Sequence, residues 1–228
     1  MNRLFAISDI HGCFNTFYEL VVNRLSLTRS DKLVLLGDYI DRGPSSREVI
    51  DFIIDLRNKE FNIVPLTGNH EQMLVDTFMD PRVLPLWLMN SGMTTLESLH
   101  ISSITDIDQK YISFFTGLNY FEKDGDNIFV HAGFNDIATD PFSDNDGMIW
   151  QCRTGYSNPV FTGKRIIHGH RPKTIAHVKK MISEGSHVIP IDTGCVYDEE
   201  DGYGYLSAIE IKSMELISIK RLDSDNIY

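Results

Sequence analysis

Apolar runs of strand length recur along the chain, and five of them end in polar residues able to hold metal or phosphate. Leu4 to Ile7 reads as a buried first strand. It gives way to Ser8-Asp9-Ile10-His11-Gly12 and then to an amphipathic helix through Phe14, Phe17, Leu20, Val21 and Leu25. Lys32 to Leu36 reads as a second strand running into Gly37-Asp38-Tyr39-Ile40-Asp41-Arg42-Gly43, with Pro44 as the first residue of the next helix. That helix carries the stripe Val49, Ile50, Ile53, Ile54 and Leu56. Phe61 to Leu66 is the third strand and delivers Thr67-Gly68-Asn69-His70-Glu71; later strands deliver His131-Ala132-Gly133 and His168-Gly169-His170. Met73 to Gly117 reads as mostly helical, broken at Pro81 and Pro85, with no catalytic constellation. Trp87, Leu88, Met89, Leu96 and Leu99 read as core or lid packing. From Val188 through Asp192-Thr193-Gly194 to the runs at Tyr205 and Leu216 the pattern predicts strands and a hairpin, with a frayed polar tail from Asp223 to Asn226.

The 228 residues, 42% of them hydrophobic, are enough for one well-buried domain spanning 1–228. A net charge of -11 excludes a broad nucleic-acid or anionic-membrane surface, so any phosphate must be held locally. Cys13, Cys152 and Cys195 are widely spaced and lack a paired-cysteine zinc spacing; they read as reduced thiols in a cytoplasmic protein. The opening apolar run is too short for a signal peptide, and no stretch reaches the length of a membrane span.

The turn from Gly37 to Gly43 places two carboxylates and one guanidinium fork at the rim of a sheet, where ligands bind; a surface salt-bridge cluster is the plainer reading of the same residues. Asp9 and His11, two apart at a strand end, suit one metal, or else Asp9 caps the following helix and His11 is simply exposed. His70-Glu71 opens a helix with Leu74, not histidine, four residues on. The two-histidine zinc pattern of metalloproteases is therefore absent.

Together, Asp9-Ile10-His11-Gly12, Gly37 to Gly43, Gly68-Asn69-His70-Glu71, His131-Ala132-Gly133 and Gly169-His170 resemble, in order, the signatures of the phosphoprotein phosphatase superfamily of calcineurin-like binuclear metallophosphoesterases. Trp87 to Gly92 with Thr95-Leu96, and Ile191 to Gly194, resemble its small bacterial and phage members. The resemblance implies an α+β fold, a two-sheet β-sandwich flanked by helices. It further implies that Asp9 and His11 hold one metal, that Asn69, His131 and His170 hold a second, and that Asp38 bridges them. Nitrogen and oxygen ligands suit two divalent ions, manganese first, with iron or zinc as alternatives. By the same resemblance a hydroxide carried by the metals attacks phosphorus directly, His70 is the general acid, Asp41 fixes its tautomer, and Arg42 and Arg153 clamp phosphoryl oxygens.

Three positions depart from the family pattern without removing a ligand: Ser8, Ala132 and Arg171, the last adding a cation beside His170. His177, His187, Tyr197, Tyr203 and Tyr205 read as packing or rim residues. The expected activity is a phosphomonoesterase of the serine/threonine protein phosphatase type acting on phosphoproteins or phosphopeptides. A symmetrical diadenosine tetraphosphatase, acting on dinucleoside polyphosphates, shares every motif. A non-catalytic scaffold of the same fold would have lost ligands or the acid histidine, and here they are intact.

Overall fold

The computed structural model describes residues 2–197 and 202–224. Its strands are β1 (Leu4–Ile7), β2 (Lys32–Leu35), β3 (Asn62–Pro65), β4 (Phe121–Asp124), β5 (Asn127–Val130), β6 (Arg165–His168), β7 (Val188–Pro190), β8 (Tyr205–Glu210) and β9 (Glu215–Lys220). One sheet has the order β3-β2-β1-β8-β9 and the other β4-β5-β6-β7. Strands β1, β2 and β3 run parallel, as do β5, β6 and β7, while β8, β9 and β4 join antiparallel.

Alternation along the strands builds a separate core on each face. In β1, Phe5 and Ile7 pack under the helices while Ala6 turns to the other side. There it meets Val34, Phe129, Ile167, Ile189 and Ile209, residues of both sheets, so this layer is the middle of a sandwich. Ile128, Val130 and Ile166 face outward onto Phe134, Met148 and Phe161. Strands buried on both faces need unbroken apolar runs, which is why they are visible in the sequence.

The helices are α1 (Phe14–Tyr18), continued by a π-helical turn over Glu19–Arg24, then α2 (Ser46–Asn58), α3 (Asn69–Met79), α4 (Leu84–Trp87), α5 (Met93–Ser98), α6 (Gln109–Thr116), α7 (Asn145–Trp150) and α8 (Ile175–Ser183). None of the described helices is long and apolar enough to cross a membrane. Cys13, Cys152 and Cys195 are free.

Two expectations need correction. Pro44 does not open α2, which starts at Ser46; the backbone just before it is spent on the loop after β1, with Gly43 N donating to His11 O and Ser45 N to Gly12 O. The tail is not frayed at Asp223. That residue is buried, and its carboxylate accepts the N–H groups of Asn15 and Thr16 and the Thr16 hydroxyl, so it caps α1 from 207 residues away. Residues 225 and 226 of that tail lie outside the described residues.

Candidate active site

Parallel strands deliver their C-terminal ends to a common edge, and five turns meet there. Asp9 and His11 follow β1, Asp38 to Arg42 follow β2, Asn69 and His70 open α3 after β3, His131 follows β5 and His170 follows β6. The turns are tight. His11, Asp38, Asp41, Arg42 and His170 all adopt positive φ, a costly conformation for residues other than glycine and one that clusters at functional sites. Gly68 and Gly169 admit no side chain: a Cβ on Gly68 would run into the Asp38 carboxylate, and one on Gly169 into that of Asp9.

Glu71 pins the β2 turn. Buried at the first turn of α3, its carboxylate accepts N–H groups from Asp38, Tyr39 and Gly68 at 2.7–2.9 Å and from Ile40 at 3.3 Å. Burial pushes its pKa up to about 7, with the Asp38 charge adding to the rise and the backbone donors opposing it.

The imidazoles show where lone pairs point. His11 Nδ1 lies 2.9 Å from Ile40 O and His131 Nδ1 lies 2.8 Å from Leu36 O. A carbonyl can only accept, so both Nδ1 atoms carry the proton and both Nε2 atoms present lone pairs. Asp38 Oδ2 is 3.5 Å from each of those Nε2 atoms. On the second side, Asn69 Oδ1, His131 Nε2 and His170 Nδ1 form a triangle with edges of 3.0, 3.0 and 3.1 Å. Converging acceptors around a shared carboxylate are a donor set for cations.

Electrostatics agree with that reading. Burial holds His11 and His131 below their usual pKa, and pushes His168 to about 4 and His170 to about 3, so these rings are neutral and able to ligate. Burial also drives Asp9 well above the usual carboxylate range, aided by the charges of Asp192 and Asp38, and lifts Asp192 to about 7. Asp9, Asp38 and Asp192 are buried close enough to raise the cost of one another's charge, which Arg42 and Lys173 offset only in part, leaving a demand for positive charge. Divalent cations would supply it, and the residues present fit two such ions.

The structure brings nearly all the expected site residues together. His11 and Asp38 form a tight cluster with His70, and Asp38 forms another with His131 and His170. Asp9 is buried alongside but stands outside both clusters, its two oxygens accepting the His170 N–H at 3.1 and 3.0 Å. His168 turns away, with Nδ1 on Gly169 O, which leaves the second position to His170. His70 Nδ1 lies 2.7 Å from Asp41 Oδ2. Burial lowers the His70 pKa, but the Asp38 and Asp41 carboxylates outweigh it and the net shift is upward. Arg42 donates from Nη1 to His11 Nε2 at 2.9 Å and from Nη2 to His70 Nε2 at 3.1 Å, with its guanidinium 6.0 Å from the half-exposed Tyr197 ring. Arg153 lines a cavity with Arg171 and Lys173, and among the described residues no hydrogen bond joins its side chain to Asp9, His11, Asp38, Asn69, His131 or His170.

Two contacts that fix Asp41 escaped the sequence reading. Trp87 Nε1 donates to Asp41 Oδ2 at 3.0 Å and the Thr95 hydroxyl donates to Asp41 Oδ1 at 2.6 Å, so both carboxylate oxygens are fixed before His70 is met. Gly92 serves Trp87, since a Cβ there would come within 2.5 Å of the indole. The signal available was a tryptophan and a threonine eight apart in a helical stretch, which core packing explains equally well.

The sequence profile of the calcineurin-like phosphoesterases matches residues 3–201. A bis(5'-nucleosyl)-tetraphosphatase PrpE [asymmetrical] of Anoxybacillus flavithermus is 24% identical, with 93% of this chain and 92% of that protein covered. Serine/threonine-protein phosphatase 1 of Salmonella typhimurium is 35% identical over 90 residues, 40% of this chain and 39% of that one. A solved protein serine/threonine phosphatase of Saccharomyces cerevisiae has the same fold, with a TM-score of 0.67 at 14% identity, covering 99% of this chain and 82% of its own.

Proposed function

The chain belongs to the calcineurin-like phosphoesterase family, and we propose that it is a metal-dependent hydrolase of dinucleoside polyphosphates that cleaves them asymmetrically, using His70 as general acid and Arg42 as phosphoryl clamp. The observation that carries the chemistry is the His70-Asp41 pair standing against the Asp38 carboxylate and the two Nε2 lone pairs. A nucleophile source and a proton source are thus adjacent.

Asp9, His11, Asp38, Asn69, His131 and His170 would hold two divalent ions, which supply charge neutralisation and an acidified water at neutral pH. Arg42 now spans the Nε2 atoms of His11 and His70. A bound phosphoryl group competes for the same two terminal nitrogens, in the bidentate manner that suits guanidinium. Its arrival frees His70 Nε2, the nitrogen not engaged by Asp41, to carry a proton to the leaving oxygen. Water adds to phosphorus, the bridging P–O bond breaks, and the His70 proton ends on the departing oxygen. With diadenosine tetraphosphate, attack one phosphate from the end of the bridge yields ATP and AMP.

The substrate class is supported by the full-length similarity to proteins named asymmetrical tetraphosphatases. Coverage above nine tenths of both chains also means that chain length is no argument against a nucleotide substrate. A second reading, hydrolysis of phosphoserine or phosphothreonine, is supported by the 35% identity over 90 residues to a protein phosphatase.

The experiment is turnover by the manganese-loaded protein on diadenosine tetraphosphate and on a phosphoserine peptide, with a chelated control. A higher kcat/KM for the dinucleotide, with ATP and AMP as products, is the expected result. A preference for the peptide would transfer the site to the second reading, and two ADP would replace asymmetrical by symmetrical attack. No metal-dependent turnover of either would overturn the catalytic reading.

A further inference from the structure

Arg171 stands where the sequence pattern departs from its family, directly after a metal-site histidine, and the structure shows what surrounds it. A cavity of about 340 Å³ is lined by Arg153, Arg171, Lys173 and His177, with His168 and Cys152 in its wall. A second, more open hollow of about 510 Å³ is lined by His170, Arg171, Lys173 and Trp150. The two share Arg171 and Lys173, so these cations border both the hollow beside His170 and the cavity that Arg153 lines.

The described acids that act on these cations, Asp192 on Lys173 and Asp136 on Arg153, do so through charge at a distance. Among the described residues no hydrogen bond or ion pair engages the side chains of Arg153, Arg171 or Lys173, and Arg153 Nε is the one buried side-chain nitrogen or oxygen atom without a hydrogen-bond partner. In a chain with a net charge of -11, three cations border one cavity without an ion pair among the described residues. A buried donor left without an acceptor is costly, and a guanidinium offers donors in a fork matched to phosphate.

We propose that Arg171 and Lys173, backed by Arg153 and His177, form a subsite for a linear phosphate chain, holding the phosphates that lie beyond the one attacked at the cage. This rests on the phosphoesterase reading of the cage and names the part of the substrate that reading left unassigned. Inorganic tripolyphosphate carries the recognised chemistry without a nucleoside.

The test is calorimetric titration of tripolyphosphate and of orthophosphate into the manganese-loaded protein, with free manganese held equal in cell and syringe, for the wild type and for Arg171→Gln/Lys173→Gln. The wild type is expected to bind tripolyphosphate at least ~10-fold more tightly than orthophosphate, and the double variant to lose most of that preference. Arg171→Lys/Lys173→Arg, which keeps both charges, is expected to restore a large part of it, separating lost charge from lost folding. Weaker dependence of tripolyphosphate affinity on salt in the double variant is the accompanying expectation. Equal affinity of wild type and double variant for tripolyphosphate, or no preference over orthophosphate in the wild type, would overturn the subsite. Turnover separates this from the function itself: a protein that hydrolyses no phosphoester but shows the preference and its loss keeps the subsite and loses the enzyme reading. One that turns over dinucleotide with the preference unaltered in the variant keeps the enzyme and loses the subsite.

Discussion

Arg42 sits in a left-handed turn with its terminal nitrogens on His11 and His70 and its face toward Tyr197, whereas Arg171, one residue from His170, has a side chain with no described partner and an open cavity before it. Both are cations bordering one cage. The first is held by two hydrogen bonds; the second is exposed and makes no described side-chain hydrogen bond. Fixed geometry suits the phosphoryl group that reacts, where orientation decides rate. Loose charge suits the phosphates that only have to stay, where long-range attraction decides affinity. The contrast extends outward: Asp41, which serves His70, has both oxygens occupied by Trp87, Thr95 and His70, while Arg153 keeps a buried nitrogen unpaired.

The contrast breaks most visibly at the rigid region. Asp38→Asn and His70→Asn are each expected to lower kcat by about 10²–10⁴-fold, with metal content falling only in the first. Metal analysis beside steady-state kinetics checks this; near-normal turnover in either variant would remove the residue from the mechanism. Asp41→Asn should follow with a smaller loss, about 10-fold or more, and with a changed pH profile. The sign is fixed by the carboxylate: it favours protonated His70, so activity that needs the proton is present at low pH and falls as pH rises through the folded-state pKa of His70. Without the charge of Asp41 the descending limb should move to lower pH. Trp87→Phe keeps the Asp41 carboxyl but removes one of its donors, and about a 3–10-fold loss in kcat is expected, with the limb moving less. A KM change with kcat and the pH profile intact would make Trp87 mere packing.

Far from either cation, Asp31 provides a reference that ought to affect stability alone. Its buried carboxylate takes Arg3 N, Nε and Nη2 together with Thr28 N and Oγ1, and the Arg3 guanidinium, foremost, holds it below the usual carboxylate range. A depressed folded-state pKa contributes stability above the unfolded value near 4 and loses it as pH falls toward the folded one. Asp31→Asn should therefore cost about 2 kcal/mol at neutral pH, a difference that narrows in acid, with kcat unchanged. Urea midpoints at pH 7 and pH 3 measure it.

The cage was legible because each donor follows a buried strand within a few residues, and strands covered on both faces must be written as apolar runs. The two-sheet sandwich was implied by the family resemblance of the motifs that end those runs, not by the runs themselves. What was hidden depends on contacts distant in sequence. Trp87 and Thr95 meet Asp41 across 46 and 54 residues, and although their segment resembles that of small family members, periodicity alone reads them as core. Strand β4, Phe-Glu-Lys-Asp, is a half-exposed edge with no apolar alternation to betray it. The helix after Pro44 starts late because backbone groups there bond to the loop after β1, a tertiary demand that overrides the local preference of proline. Arg153 sits in a sequence context that marks a clamp, while its placement depends on the loop after α7.

The cap that Asp223 places on α1 has a temporal meaning. The loop carrying Asp9 and His11 lies between β1 and α1, and both of its flanks wait on late parts of the chain, β1 on its antiparallel partner β8 and α1 on Asp223. At ribosomal speeds of roughly 5–20 residues per second, 207 residues take on the order of 10–40 s to emerge. Throughout that interval the loop bearing Asp9 and His11 is out of the tunnel without its closing contacts, so a cut or a bulky fusion at residue 223 is expected to disturb it.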